Sequence, residues 1–287
     1  GGVGAMAALM KPQSISEQLM YCTAKLISST GSGTGYFVEL EVDNKIYPIL
    51  VTNKHVLNYN PNEKMSFLLH IADENGHPGE NIAIQYDTSW HFHPIHDLCF
   101  TFVNPLLHGI EQRTGKKPFV INIPNSMIAD QETLNSLSAL EELVMVGYPI
   151  GLWDDSHNLP IFRRGYTATH PAIDFTNAET GVTLPGVGVV DMACFNGSSG
   201  SPIFVLNENG YHEKNGTTHL GATRVIFIGT LYAGPEFREN GEIKVVTIPT
   251  SQALISSTPA KTNLGYYIKS TQLEEFRAMI RTQSKDD

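Results

Sequence analysis

The sequence predicts an all-β fold, a sandwich or barrels, with a helix closing the chain, and three observations carry that prediction. The apolar runs are short and rich in β-branched residues. Gly, Asn and Pro separate them. Helical periodicity is confined to two stretches, so the strand–helix alternation of a parallel α/β sheet is missing.

The elements follow in order. "GYFVELEVDNKIYPILVTN" (35–53) holds two apolar runs joined at Asp43-Asn44, a hairpin pattern. Asn209-Gly210 and Asn240-Gly241 punctuate the later runs "SPIFVL", "RVIFIGTLYAG" and "IKVVTI". "TLNSLSALEEL" (133–143) repeats leucine at 134, 137, 140 and 143, which predicts a helix near the middle of the chain, with Pro124 before it. "STQLEEFRAMIRTQ" (270–283) predicts the closing helix, with a capping box from Thr271 to Glu274 and Leu273, Phe276 and Ile280 on its buried face. The expected division is a tail or expression remnant at 1–14, a first β unit at 15–130, a second at 131–269, and a C-terminal helix and tail at 270–287.

The 287 residues are 41% hydrophobic and 17% charged, the composition of an ordinary globular protein with ample core. A net charge of −10 repels nucleic acid and anionic membranes, so neither is expected as a partner. No apolar run approaches the roughly 18 residues that span a bilayer, and the first ten residues lack the basic start of a signal peptide. Three scattered cysteines (Cys22, Cys99, Cys194) do not make a disulfide framework. They are expected as buried free thiols in a reducing, cytoplasmic setting.

"CFNGSSGSPIF" (194–204) holds the sharpest chemical signal. A nucleophilic serine needs a tight turn and backbone N–H groups aimed at the oxyanion it creates. Glycine two residues before it lets the backbone approach the substrate, and glycine just after it leaves room for the tetrahedral intermediate. Only Ser199 has both, in Gly197 and Gly200. The G-x-S-x-G elbow fails because residue 201 is serine. Serine needs a base to take its proton, and the base needs an acid to fix its tautomer. "ILVTNKHVL" sets His55 just past a buried strand, and "PIHDLCFTFV" sets Asp97 at the start of another.

With those residues in order, the chain resembles the chymotrypsin-fold, trypsin-like serine peptidases, closest to the bacterial trypsin-2 branch that lacks disulfides. The motifs are "GSGTGYFV" (31–38), "VTNKHVL" (51–57), "HDLCF" (96–100), "VGYPIG" (146–151), "FRRG" (162–165) and "GSSGSP" (197–202). The resemblance implies two six-stranded antiparallel β-barrels with the triad between them: His55 and Asp97 from the first, Ser199 from the second. It implies an oxyanion hole from the N–H groups of Gly197 and Ser199. It also implies a substrate pocket from Ala193, Cys194, Phe195 and Asn196 on one side and Tyr232, Ala233 and Gly234 on the other. The activity implied is a serine endopeptidase acting on protein or peptide substrates without a cofactor. Ala193 stands where a trypsin-like pocket carries its acid, so a small or apolar residue is expected on the acyl side of the scissile bond. Ser198 replaces the aspartate that receives a freed N-terminus in zymogen-type relatives. Order is therefore expected to be built in, or supplied by an activating partner protein.

Other readings compete. "GSGTG" (31–35) leads into a strand, which fails the phosphate-loop context and reads as a flexible lead-in beside His55. His91, His93 and His96 have metal-like spacing and would serve a metallo-hydrolase, although Pro94 interrupts them. The ordinary reading is partly exposed loop histidines. Arg163 and Arg164 are expected in salt bridges across a strand edge, and Glu236, Glu239 and Glu242 on a solvated hairpin. A catalytically silent binding module of the same fold is the remaining alternative.

Overall fold

The computed structural model describes residues 9–150, 152, 154–194, 197–239, 243–250, 260–261 and 263–286. Two antiparallel sheets follow one another along the chain. The first holds β1 (Thr23–Ile27), β2 (Ser32–Val42), β3 (Lys45–Thr52), β4 (Met65–Ala72), β5 (Pro78–Tyr86), β6 (His91–Phe92), β7 (Cys99–Phe102) and β8 (Pro118–Phe119). The second holds β9 (Glu142–Gly147), β10 (Ile161–Thr167), β11 (Val187–Asp191), β12 (Pro202–Asn207), β15 (Arg224–Glu239), β16 (Ile243–Pro249), β17 (Ala260–Lys261) and β18 (Leu264–Lys269). β13 (Gly210–His212) and β14 (Thr218–Leu220) form a separate hairpin. The expected boundary at 130/131 falls between β8 and β9.

Six strands of the second sheet close into a barrel, β12-β9-β10-β11-β18-β15, because β15 pairs back onto β12. The six longer strands of the first run β5-β4-β1-β2-β3-β7, and its two ends are not joined by hydrogen bonds. A helix fills that seam: α2 (Val103–Thr114) buries Val103, Leu106 and Ile110 in the first core. Its Gly109 lies so close to Tyr86 of β5 that a Cβ would clash. This is a chymotrypsin-like double barrel whose first half is closed by packing.

Four buried apolar clusters form among the described residues, and the period-two alternation of the strands sorts side chains into them. Tyr36, Val38 and Leu40 of β2, Ile49 and Val51 of β3, and Val144 and Val146 of β9 meet between the two sheets. The opposite faces, Phe37 and Leu50 in the first unit and Leu143 and Met145 in the second, fill each barrel's interior. Burial on both faces explains why the runs read as continuously apolar. The hairpin expected at Asp43-Asn44 is there, with both residues in the left-handed region (φ 49° and 64°) and Val42 paired with Lys45.

The helices depart more from expectation. α2 and the short α1 (Ile15–Leu19), with its Ser14/Glu17 capping box, are additional. The middle helix, α3 (Gln131–Ser136), stops early. Leu137 is extended, Leu140 is 69% exposed, and Leu143 belongs to β9. Residues 139–141 are tied to β10 instead: Thr167 donates through Oγ1 to the Ala139 carbonyl and through N–H to that of Glu141. α4 (Leu273–Asp286) is entered through a 3-10 turn at Ser270–Gln272, and Glu274 pairs with Arg277. Its Leu273, Phe276 and Ile280 join the core between the sheets, as the spacing predicts. The Asn240-Gly241 turn lies outside the described residues. Among the described residues no helix is long and apolar enough to cross a membrane.

Candidate active site

Strand register brings His55 and Asp97 together. β3 and β7 pair antiparallel, with Thr52 opposite Cys99, so the residues after β3 and before β7 emerge at the same end. His55 lies in a single 3-10 turn, Lys54–Leu57, begun by Asn53. Asn53 donates through Nδ2 to the Asp97 carbonyl (2.9 Å) and fixes one strand end to the other. Asp97 then accepts twice from the same residue: Oδ1 from the His55 backbone N–H (3.1 Å) and Oδ2 from the ring at Nδ1 (2.5 Å). With Nδ1 donating, Nε2 is the acceptor, and it lies 2.8 Å from Ser199 Oγ. The His55 side chain is 3% exposed and that of Asp97 17%.

Ser199 stands on the turn before β12. Gly197 and Gly200 both have φ near +89°, a region open to glycine at low cost. A Cβ on Gly200 would fall 1.9 Å from the Thr34 carbonyl, and one on Gly197 would fall 2.5 Å from that of Tyr148. Ser198's carbonyl accepts from the Ser201 N–H (3.0 Å), inside the turn. In a planar trans peptide the Ser199 N–H points the opposite way, out of the turn. The N–H of Gly197 belongs to its bond with Asn196, which lies outside the described residues.

Thr34 holds this turn. Its N–H donates to the Ser199 carbonyl (2.8 Å), its Oγ1 donates to that of Gly197 (3.1 Å), and Oγ1 accepts from the Tyr148 N–H (3.0 Å). Thr52 Oγ1 donates to the Thr34 carbonyl (2.8 Å). "GSGTG" is therefore not a flexible lead-in: Ser32–Gly35 are already strand, and Thr34 is fully buried between the two units. Its function is a joint across a long sequence gap, which a glycine-rich pentapeptide does not advertise.

The three histidines do not converge on a common point. His91 stacks on Phe100, with ring centroids 4.9 Å apart. His93 donates through Nε2 to the Gln272 carbonyl (3.2 Å), while its Nδ1 accepts from the N–H groups of Ile95 and His96 (3.1 and 3.0 Å). His96 donates through Nε2 to the Pro185 carbonyl (2.8 Å). Among the described residues no group of three His, Cys, Asp or Glu is placed to hold a metal ion. The metallo-hydrolase reading fails because both ring nitrogens of His93 and the Nε2 of His96 are already committed to backbone. His93 and His96 are also buried, not exposed loop residues. Burial, with His96 beside it, pushes the His93 pKa down to about 4. The run ties the Asp97 loop to α4 on one side and to the segment before β11 on the other.

Of the expected pocket residues, Ala193 and Cys194 are half-buried after β11. Cys194 Sγ reaches the Met192 carbonyl (3.3 Å) and lies beside Gly265. Cys22 and Cys99 are buried free thiols. Tyr232, Ala233 and Gly234 lie in β15, next to the nucleophile turn: Gly200 N–H donates to the Leu231 carbonyl (2.9 Å). Phe195 and Asn196, and the side chains of Glu236, Glu239 and Glu242, lie outside the described residues. Arg164 pairs with Glu142 across β10 and β9 (2.6 Å), the strand-edge bridge expected. One further contact at the nucleophile has no counterpart in the sequence motifs. Thr250 Oγ1 hydrogen-bonds Ser199 Oγ, and a lone threonine after a strand carries no signal for that.

No protein-family model matches the chain, and no curated protein matches it. Solved structures it is similar to include Rv3671c from M. tuberculosis H37Rv in a serine-to-alanine, inactive form (12% identity, 96% of each chain covered, TM-score 0.44). Another is the inactive form of the Rv3671c protease (13% identity, 95% of this chain and 98% of that chain, TM-score 0.47). A third is the scabies mite inactivated protease paralogue S-I1 (11% identity, 95% and 98%, TM-score 0.45).

Proposed function

We propose that this chain is a serine endopeptidase that cleaves protein substrates through an acyl-enzyme on Ser199. The supporting observation is the unbroken relay from Asp97 Oδ2 to His55 Nδ1 (2.5 Å) and from His55 Nε2 to Ser199 Oγ (2.8 Å). His55 takes the Ser199 proton as Oγ adds to the substrate carbonyl. Asp97 holds the tautomer and stabilises the imidazolium that forms. The developing oxyanion is received by the Ser199 N–H, with that of Gly197 as its partner. The imidazolium then protonates the leaving amine, the C–N bond breaks, and water, deprotonated by His55, releases the acid and restores Ser199.

The substrate is an extended protein segment that pairs along β15 at Tyr232–Gly234. Its acyl-side residue is small or apolar, since Ala193 offers no carboxylate. The setting proposed is cytoplasmic, in the disulfide-free bacterial branch that the motifs resemble. The complete relay weighs against a silent binding module. The test is fluorophosphonate labelling and peptide hydrolysis by Ser199→Ala, Ser198→Ala and Ser201→Ala. Only the first is expected to abolish both, and peptidase activity surviving in folded Ser199→Ala would refute the assignment.

A further inference from the structure

Ser199 is fully buried, and part of what covers it is the chain's own strand. β15 has two edges. Thr230 pairs with Ile268 of β18 on one and with Pro202 of β12 on the other. Further along, Ala233 pairs with Tyr266 of β18 and with Pro249 of β16. β16 therefore lies on the same edge as β12, taking it up where β12 gives way to the nucleophile turn. Gly234 faces Ile248 and Pro235 faces Thr247. The pairing is antiparallel and β15 leads away from the turn, so β16 runs toward it. Its next residue, Thr250, is buried and bonds Ser199 Oγ. Thr247 Oγ1 anchors the strand to the Thr180 carbonyl.

A peptide delivering its carbonyl to Ser199 must approach as an extended strand with its carboxyl end at the nucleophile. β16 has that direction and edge. We propose that Ile248-Pro249-Thr250 is an internal, substrate-like occupant of the acyl-side cleft that holds the site closed until it is displaced. This rests on the reading of Ser199 as the nucleophile. The strand blocks the site because Thr250 stands against Ser199 Oγ in a buried position, where an incoming carbonyl would have to sit. Ser199 Oγ–H donates to His55 Nε2, so the Thr250 hydroxyl donates to Ser199 Oγ and occupies one of its two lone pairs. The same register names the class of substrate: an extended segment with a small residue such as threonine at its acyl end.

The test uses the full chain with Thr250→Ala, and with Ile248→Pro, which removes a pairing N–H, as a second variant. Two rates are measured for each: fluorophosphonate labelling of Ser199, and iodoacetamide alkylation at position 199 in a Ser199→Cys background, mapped by mass spectrometry. Both are expected to rise tenfold or more, and acetyl-Thr-Ile-Pro-Thr-amide is expected to slow both again in the opened variants. Unchanged rates in folded variants, or no more protection by that peptide than by a scrambled one, would overturn the proposal. Faster alkylation with no fluorophosphonate labelling in any form would sink the nucleophile and leave the occupant standing.

Discussion

Acidification should unfasten the loop that carries Asp97, and the size of the effect follows from His93. The ring is 1% exposed. Its Nε2–H is spent on the Gln272 carbonyl at the start of α4, and its Nδ1 lone pair accepts two backbone N–H groups. A second proton has only Nδ1 to occupy, where it would meet those two donors, in low dielectric and near His96 and Lys54. The folded pKa is thus about 4 against 6.5 for the free side chain. Because the neutral form is the folded form, the contribution is complete above pH 6.5 and is lost as pH falls toward 4. At about 1.4 kcal/mol per pKa unit the full effect is about 3 kcal/mol, most of which is gone by pH 4.5. The assay is equilibrium urea unfolding at pH 7.5 and 4.5 for the native chain and His93→Gln. The variant is expected to be weaker at pH 7.5 and to lose about 2–3 kcal/mol less on acidification. Parallel losses would refute this account of His93. His70, whose pKa burial also lowers, acts in the same direction in both proteins and cancels in the comparison.

Two further outcomes are expected. Asp97→Asn keeps the fold but presents the wrong imidazole tautomer to Ser199, lowering turnover about 10⁴-fold; an effect under about tenfold in steady-state hydrolysis would mean that another group orients His55. Thr34→Val keeps the shape but removes the bonds that Oγ1 makes to the Gly197 carbonyl and the Tyr148 N–H, at about 1–3 kcal/mol each. Urea unfolding should register that loss, with kcat falling more than KM changes; unchanged values of both would remove Thr34 as the joint.

The legible part of the site was the part written in local sequence. His55 follows an apolar run while Asp97 and Ser199 each precede one, and strand register then does the rest: Thr52 opposite Cys99 brings two of the three together. Local pattern failed where a distant partner decides the outcome. The leucine spacing from 134 to 143 is helical in period, yet Arg224 pairs with Glu141 (2.9 Å) and Thr167 holds residues 139–141, so the chain straightens into β9. α2 was obscured because its first residues continue the apolar run of β7, although Gly115, left-handed at φ 69°, marks its end.

Thr34 and Thr250 show the limit more sharply. Thr34 acts on a carbonyl 163 residues away, and Thr250 on a hydroxyl 51 residues away. Neither contact leaves a trace in the composition around it. "IKVVTI" reads correctly as a strand, but a strand's sequence states only that it will pair, not which edge it will join. Here the edge is the one beside the nucleophile, and the pairing that completes the sheet also closes the cleft. Any substrate of this site must therefore compete with a segment tethered to the same molecule, at the high effective concentration a short tether gives. It follows that the affinity a substrate shows will be set as much by how firmly β16 holds β15 as by the pocket behind Ala193.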